Sequence, residues 1–190
     1  VIIPCFNEEL CVESTCARLL EVLQMLVKKH KITPDSYLYF VDDGSNDNTW
    51  NIIENLHNKT SQVKGTKFLR NYGNQKALIA GCDCAVSIDA DLQQDELAIE
   101  KFLDEYQKGY DAVLGIRNDR NTDGFLKKTT AVMFYKLMNL LGTKIPMNHS
   151  DYRLVSKKAL DVLHLYPEKA LFLRGFFYEL GVKTTTVNFD

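Results

Sequence analysis

Several features that would place this chain in a large protein class are absent from its sequence. No Gly-x-Gly-x-x-Gly follows an apolar run and there is no Walker-type phosphate loop, which disfavours a dehydrogenase or a P-loop ATPase. The 23 basic and 25 acidic residues leave a net charge of −2, so no overall field attracts nucleic acid. No apolar run is long enough to span a bilayer, and no signal peptide is visible.

The cysteines also lack the pattern of a metal site or of a disulfide framework. They are odd in number, and Cys82 and Cys84 are separated by one residue, whereas zinc ligands need two or more between them. The others, Cys5, Cys11 and Cys16, fall on apolar or helical stretches. We therefore expect reduced thiols in the core of a cytosolic protein.

The length of the chain is sufficient for one hydrophobic core. With 190 residues, 45% of them hydrophobic, residues 1–190 are expected to form a single domain. The sequence starts inside an apolar run at Val1 without an initiator Met and ends in a strand-like run at 184–189. We expect both ends to continue in a longer protein.

Short β-like runs alternate with helical patterns along the chain, which predicts an α/β fold with a mostly parallel sheet. Strands are predicted at residues 1–4, 37–41, 64–68, 85–88 and 112–114. Helices are predicted at residues 16–27, 49–58, 74–82, 96–108 and 125–141. The last of these helices could lie against the core or against a membrane surface.

Polar residues cluster where four of these strands end. The clusters occupy residues 5–9, 42–45, 70–74 and 89–93. Turns favour Asp, Asn, Gly and Ser for conformational reasons alone, so one cluster carries little weight. Ligands bind beyond the carboxyl ends of strands in open α/β sheets, and four clusters on one edge therefore predict a binding site.

Asp89 and Asp91 are two residues apart, which places both carboxylates on one side of an extended strand end. They could share one Mg²⁺ or Mn²⁺, with water and a substrate diphosphate completing the coordination. The alternative is that they cap the next helix. The presence of Gln93 and of the other clusters favours the metal.

The segment at 42–45 suggests recognition of a nucleoside. The carboxylates of Asp42 and Asp43 could accept a hydrogen bond from a base, and Gly44 lets the backbone approach a ligand. Ser45 or Asp47 could equally cap the helix near residue 49, and both interpretations can hold together.

Basic side chains follow the fifth predicted strand. Arg117 and Arg120 could bind phosphate oxygens, or they could belong to a solvated basic loop. Residues 148–153 combine His149, Asp151 and Arg153 in one polar stretch, and this density favours a site over a structural cluster.

Several of these segments resemble the motifs of family 2 glycosyltransferases, in the same order and spacing. They are VIIPCFNEE at 1–9, VDDGS at 41–45, RNYG at 70–73 followed by KA at 76–77, and IDADLQ at 88–93. GIR at 115–117, NHSDYRL at 148–154 and LFLRG at 171–175 resemble the branch that glycosylates polyprenyl phosphates. The chain is shorter than the family pattern between Gly81 and Asp89 and after Gln94.

The resemblance implies a GT-A fold, a Rossmann-like and mostly parallel sheet flanked by helices. It also implies a nucleotide-sugar donor, Mg²⁺ or Mn²⁺, and inversion at the anomeric carbon. The metal would be bound by Asp89, Asp91 and Gln93, and Asp151 would lie beside the acceptor with Arg153 nearby. The residues expected to contact the donor are Pro4, Asn7, Glu8, Asp42, Asp43, Gly44, Lys76, Asp89, Ala90, Arg117 and Arg120.

The chemistry of a polyprenyl phosphate qualifies the role of Asp151. A phosphate monoester has a second pKa of about 6, so it is largely a dianion at neutral pH and already nucleophilic. We therefore expect Asp151 to orient the acceptor more than to deprotonate it. Holding two anions together is the larger requirement, which the cation and Arg117, Arg120 and Arg153 could meet.

The resemblance favours UDP-glucose as the donor, with GDP-mannose as the alternative. It implies membrane association through a segment beyond Asp190, on the cytoplasmic face of the cell membrane, and it is compatible with a homo-oligomer. A processive polysaccharide synthase is disfavoured because the only Trp, Trp50, is too early for a Gln-x-x-Arg-Trp motif. An Asp-x-Asp phosphatase would need its motif on the first strand. A nucleotide-sugar binding module without turnover is the non-enzyme alternative.

Overall fold

A computed structural model describes residues 1–68, 82–118, 149–164 and 181–189 of the chain. Lys76, Arg120 and the predicted helix at 125–141 lie outside these residues, as does all but the last residue of the predicted helix at 74–82. Within the described residues, no helix is long and apolar enough to cross a membrane.

The described residues form a seven-stranded mixed sheet with the strand order β3-β2-β1-β4-β6-β5-β7. The strands are β1 (Ile2–Cys5), β2 (Leu38–Asp42), β3 (Val63–Lys67), β4 (Cys84–Ser87), β5 (Ala112–Arg117), β6 (His149–Ser156) and β7 (Thr184–Phe189). Strand β6 runs antiparallel to both of its neighbours, β4 and β5, while the remaining pairs are parallel.

Helices cover both faces of the sheet. They are α1 (Val12–Lys28), α2 (Thr49–Lys59), α3 (Ala98–Gln107) and α4 (Lys157–His164). Ile3 of β1 packs in the core with α1, α2 and α3, whereas its neighbour Ile2 points to the other face, where Leu160 and Leu163 of α4 pack. This alternation is the two-residue period of a strand buried on both sides.

The α/β fold class is confirmed. The first four predicted strands are each shifted by one residue, the fifth extends to Arg117, and the strand-like run at 184–189 is β7. Strand β6 and helix α4 were not predicted. Residues 148–153 were interpreted as a polar stretch, and their strand is stabilised by pairing with β4 and β5, which are distant in sequence.

All five cysteines are free thiols. Cys5 and Cys16 are buried, as expected of core residues, whereas Cys11, Cys82 and Cys84 are partly exposed. The expectation that every cysteine belongs to the core therefore holds for two of them.

Gly115 allows β5 to pass close to its neighbours at a register shift between Leu114 and Ile116. A Cβ atom at this position would lie 2.7 Å from the carbonyl oxygen of Tyr152 and 2.8 Å from Cε1 of Phe189. Such distances are below normal contact, so only glycine fits without displacement. Tyr152 lies between Asp151 and Arg153, and the glycine therefore sets the position of the strand that carries both.

Candidate functional site

The pairing of β4 with β6 brings two of the predicted site carboxylates together. Ser87, the last residue of β4, lies opposite Arg153 in the antiparallel register. Asp89 follows Ser87 by two residues, Asp151 precedes Arg153 by two residues, and the charge of Asp151 acts on Asp89. Because β1, β2 and β4 are parallel, the residues that follow them meet at this same edge of the sheet.

The loop after β4 folds back on Asp89. The backbone N–H of Asp89 donates to Oε1 of Gln94 at 3.0 Å, and Nε2 of Gln94 donates to Oδ2 of Asp89 at 2.5 Å. Leu92 adopts a left-handed conformation with φ of 49°, uncommon for a branched side chain and typical of a tightly constrained turn. Oδ1 of Asp91 accepts a hydrogen bond from the backbone N–H of Gln93 at 3.2 Å.

Helix α1 is hydrogen-bonded to the loop after β4. The hydroxyl of Thr15, which is buried, donates to the carbonyl oxygen of Ala90 at 2.6 Å. Ala90 is itself buried, so this bond satisfies a backbone acceptor that has no access to water. The residue between the two carboxylates is therefore fixed to the core.

The charges at this edge interact. Burial, then the negative charges of Asp91 and Asp151, raise the pKa of Asp89, while the Gln94 hydrogen bond and the positive charge of Arg153 oppose this rise. Nη2 of Arg153 lies 3.1 Å from Oδ1 of Asp151, and only 12% of the arginine side chain is exposed. Three carboxylates and one guanidinium thus share one electrostatic environment.

Asp89 and Asp91 do not cap the following helix, so the capping alternative for them is wrong. Helix α3 begins at Ala98. Its N-cap residue is Leu97, whose side chain makes no capping hydrogen bond. The backbone N–H of Leu97 is bound by Oδ1 of Asp95 at 3.0 Å. The two earlier carboxylates therefore remain available for another role.

The loops after β1 and β2 are joined by reciprocal hydrogen bonds. The N–H of Asn7 donates to the hydroxyl of Ser45, and the N–H of Asn46 donates to Oδ1 of Asn7, both at 2.9 Å. Asn7 has a positive φ of 57°, which asparagine tolerates better than most residues. The two loops consequently form one rigid unit.

A second set of bonds extends this unit to helix α2. The N–H of Glu9 donates to Oδ2 of Asp47 at 3.1 Å, and the N–H of Asn48 donates to Oε2 of Glu9 at 2.9 Å. Oδ1 of Asp47 accepts from the N–H of Thr49, the first residue of α2, at 3.0 Å. The N-cap residue of α2 is Asn48, whose side chain makes no capping hydrogen bond; of the two predicted caps, Asp47 binds the N–H of Thr49 from one residue before the N-cap, whereas Ser45 binds the loop after β1.

Asp42 has a buried carboxylate oxygen that lacks a hydrogen bond. The residue is fully buried, and its Oδ1 accepts from the N–H of Ser45 at 2.9 Å. In the part of the chain that the structure describes, Oδ2 has no hydrogen-bond partner, and Nζ of Lys67 lies 3.7 Å from it. An unsatisfied buried acceptor is costly, which marks this oxygen as a candidate contact for a ligand N–H.

The other residues that were predicted to contact the nucleotide sugar lie in or near these loops, or at the end of β5. Pro4 pairs with Val41 in the sheet, and Asp43 is buried, its N–H donating to the carbonyl of Cys5 at 2.9 Å. Gly44 has a φ of 84°, which favours glycine. Arg117 is exposed at the end of β5.

Glu8 is bound by a neighbouring thiol. Its N–H donates to the hydroxyl of Thr49 at 2.9 Å, and its Oε2 accepts from Sγ of Cys11 at 3.0 Å. Burial, followed by this hydrogen bond to Glu8, raises the pKa of the Cys11 thiol to about 12. The thiol therefore remains protonated at neutral pH and acts as a hydrogen-bond donor.

The donor set at Asp89 and Asp91 fits a hard divalent cation. Among the residues that the structure describes, no three His, Cys, Asp or Glu side chains form a group able to hold a metal ion by themselves. Two carboxylates with the exposed Gln93 amide offer oxygen ligands only, the type that Mg²⁺ and Mn²⁺ prefer. Such a set leaves positions for water and for a diphosphate.

Two supporting residues, Gln94 and Thr15, were not singled out from the sequence. Gln94 binds Asp89 and is the neighbour of Gln93, the predicted metal ligand, whereas Thr15 lies on a helix distant in sequence from the Ala90 carbonyl that it binds. Ser45 was considered only as a helix cap, and it accepts a hydrogen bond from the N–H of Asn7. No local pattern marks these residues, since their roles depend on contacts between distant segments.

This chain is similar in sequence and in fold to several known proteins. The family model described as "Glycosyl transferase family 2" matches residues 1–163. An uncharacterised glycosyltransferase of Bacillus subtilis strain 168, YkoT, is 46% identical over 199 residues, covering 100% of this chain and 58% of that protein. A bactoprenol glucosyl transferase of Shigella phage SfX is 35% identical over 195 residues, covering 100% of this chain and 62% of its own length.

The chain therefore spans about three-fifths of the length of these curated relatives. Among solved structures, the mannosyltransferase PcManGT from Pyrobaculum calidifontis, in complex with GDP-Man and Mn²⁺, has a TM-score of 0.62 and 16% identity. The match covers 98% of this chain and 53% of that one. At this identity, the likeness shows a shared GT-A fold.

Proposed function

The chain belongs to glycosyl transferase family 2, and from this we propose that it is the catalytic domain of a polyprenyl-phosphate glycosyltransferase. The proposed reaction transfers a hexose from a nucleotide sugar, with UDP-glucose favoured, to the phosphate of a polyprenyl lipid. The relatives named bactoprenol glucosyl transferases support both the glucose and the polyprenyl acceptor. Because those relatives are longer, acceptor capture and membrane association are proposed for the whole protein.

The shared environment of three carboxylates and Arg153 is the observation that carries this proposal. Asp89 and Asp91 follow β4, whereas Asp151 and Arg153 come from a strand that arrives from the opposite direction. Each of these other groups acts on the pKa of Asp89. Asp89 and Asp91 would serve the nucleotide-sugar donor, and Asp151 with Arg153 would serve the lipid acceptor. A transfer between two anionic substrates requires both pairs at one edge of the sheet.

The nucleoside is proposed to bind over the joined loops after β1 and β2. The buried Oδ2 of Asp42 offers an acceptor for the ring N–H of uracil, and Asp43 and Gly44 follow it directly. Pro4, Asn7 and Glu8 line the same edge from β1. Because the two loops are already fixed to each other, little order has to be created when the base binds.

The diphosphate is proposed to lie between Asp89, Asp91 and the arginines. Asp89 and Asp91, with Gln93 as a third ligand, would hold Mg²⁺ or Mn²⁺, which when bound supplies positive charge to the departing diphosphate. Arg117 at the end of β5 is proposed to contact a phosphate oxygen. Lys76 and Arg120, which lie outside the described residues, are proposed donor contacts from the sequence alone.

The chemical step needs no proton to be removed from the acceptor. A phosphate oxygen of the lipid forms a bond to the anomeric carbon on one face, while the bond from that carbon to the nucleoside diphosphate breaks on the other. The electron pair leaves with the nucleoside diphosphate, and the configuration is inverted. Asp151, held by Arg153 at 3.1 Å, is proposed to orient the acceptor, because a phosphate monoester is largely ionised above about pH 6.

A thermal-shift panel of UDP, GDP and their sugars, each with and without Mn²⁺, tests the donor assignment. A ligand at one hundred times its Kd should stabilise the domain by about 2.7 kcal/mol. We expect UDP and UDP-glucose with Mn²⁺ to give the largest shifts, and Asp91→Ala to abolish the Mn²⁺-dependent part. Asp161→Ala, at an exposed position of α4, is the matched control and should behave as the wild type. Stabilisation by none of the nucleotides would refute the assignment, and a preference for GDP-mannose would replace UDP-glucose.

A further inference from the structure

Two side-chain hydrogen bonds of Gln94, in the loop after β4, go to the same residue, Asp89. Its Oε1 accepts from the backbone N–H of Asp89 at 3.0 Å, and its Nε2 donates to Oδ2 of Asp89 at 2.5 Å. The glutamine is only 7% exposed. One buried side chain therefore fixes both the backbone and the carboxylate of a proposed metal ligand.

Only an amide of this length can make the two contacts together. An ionised Glu has two acceptor oxygens and cannot donate to a carboxylate, and Met can make neither bond. Asn has the required groups but is one methylene shorter, so it cannot reach both atoms from the same backbone position. The chemistry of the contact is thus specific to glutamine.

The backbone around Gln94 is itself anchored. Leu92 holds a left-handed turn with φ of 49°, and two residues after Gln94 the carboxylate of Glu96 pairs with Nε of Arg18 on α1 at 2.6 Å. Helix α3 then begins at Ala98. Gln94 therefore acts from a fixed segment, and its amide holds the carboxylate of Asp89 in one orientation.

We propose that Gln94 is a positioning residue for Asp89 in donor-metal binding: it occupies Oδ2 and leaves Oδ1 to bind the divalent cation. This inference rests on the proposed function, since it concerns the metal of the nucleotide-sugar site. Removal of a residue that orients a metal ligand commonly weakens metal affinity by about 10- to 100-fold.

The test measures Mn²⁺ affinity by electron paramagnetic resonance and, separately, UDP affinity without metal. Gln94→Met keeps the length of the side chain and loses both bonds, and Gln94→Asn keeps the amide but shortens it. We expect both variants to bind Mn²⁺ about 10- to 100-fold more weakly, with metal-free UDP affinity unchanged. Gln107→Met, at an exposed position of α3, is the control and should retain both affinities.

The outcomes separate this inference from the proposed function. Wild-type Mn²⁺ affinity in both variants would overturn the positioning role. Parallel loss of Mn²⁺ binding and metal-free UDP binding would assign Gln94 a structural role and would also overturn it. If the wild type itself bound neither Mn²⁺ nor UDP, the proposed function and this inference would fall together. Should Gln94→Met fail to fold, Gln94→Asn decides.

Discussion

Replacing Asp151 by Asn tests whether this carboxylate orients the acceptor or removes a proton from it. In the structure, Oδ1 of Asp151 accepts from Nη2 of Arg153 at 3.1 Å, and 43% of the aspartate side chain is exposed. Asn has the same shape and retains an oxygen at this position, but it carries no charge. The substitution therefore removes the ion pair while leaving a hydrogen bond from the guanidinium to a neutral oxygen.

The two roles predict different losses of rate. A hydrogen bond to a charged group is worth about 1 kcal/mol more than a neutral one, so loss of orientation alone should cost roughly five- to tenfold in kcat. The partial exposure of Asp151 weakens the ion pair further and places the effect at the low end of this range. Loss of a general base would cost on the order of 10²- to 10⁴-fold.

The assay is glucose transfer from UDP-glucose to a short-chain polyprenyl phosphate between about pH 5 and pH 8. The second ionisation of the acceptor phosphate, near pH 6, should set the acidic limb of the rate profile, and this limb should persist in Asp151→Asn. Asp161→Asn, at an exposed position of α4, is the control for loss of one carboxylate. A loss of about a thousandfold or more, together with disappearance of the acidic limb, would show that Asp151 is the base and refute the orienting role.

Two further predictions concern the support of the site. Gly115→Ala should lower the free energy of unfolding in urea by about 1–3 kcal/mol and should slow transfer. The added Cβ would lie 2.7 Å from the carbonyl oxygen of Tyr152 and 2.8 Å from Cε1 of Phe189. A fully stable and active variant would contradict this close approach. Thr15→Val should lower the unfolding free energy by about 1–3 kcal/mol, since the buried carbonyl of Ala90 loses its donor. Thr15→Ser keeps the hydroxyl, and equal stability of the Val and Ser variants would argue against the bond.

Much of the fold and the position of the site could be predicted from local patterns. Alternation of apolar runs with helical periodicity predicted the parallel strands, and the polar clusters predicted the edge of the sheet at which the candidate site lies. The order of the motifs predicted the family, which the match over residues 1–163 and the bactoprenol glucosyl transferase relatives confirm. These features depend on residues close together in the chain.

The contacts between distant segments could not be predicted in this way. Strand β6 begins with polar residues because its first half lies at the candidate site, and its antiparallel register opposite β4 becomes visible only in the folded sheet. The contact of Gln94 with Asp89 forms across a loop that contains a left-handed residue, Leu92, and no local pattern predicts it. The capping alternative for Asp89 and Asp91 failed for the same reason, since the loop between them and α3 is folded back.

Metal-dependent glucose transfer tests the central claim most directly. Wild-type protein and Asp91→Ala would be incubated with labelled UDP-glucose and a polyprenyl phosphate, in the presence of Mn²⁺ or of a chelator. We predict labelled lipid only with the wild type and Mn²⁺, because Asp91 is one of two carboxylates in the loop after β4 that would hold the cation. Transfer that is undiminished by the chelator and by Asp91→Ala would contradict the account.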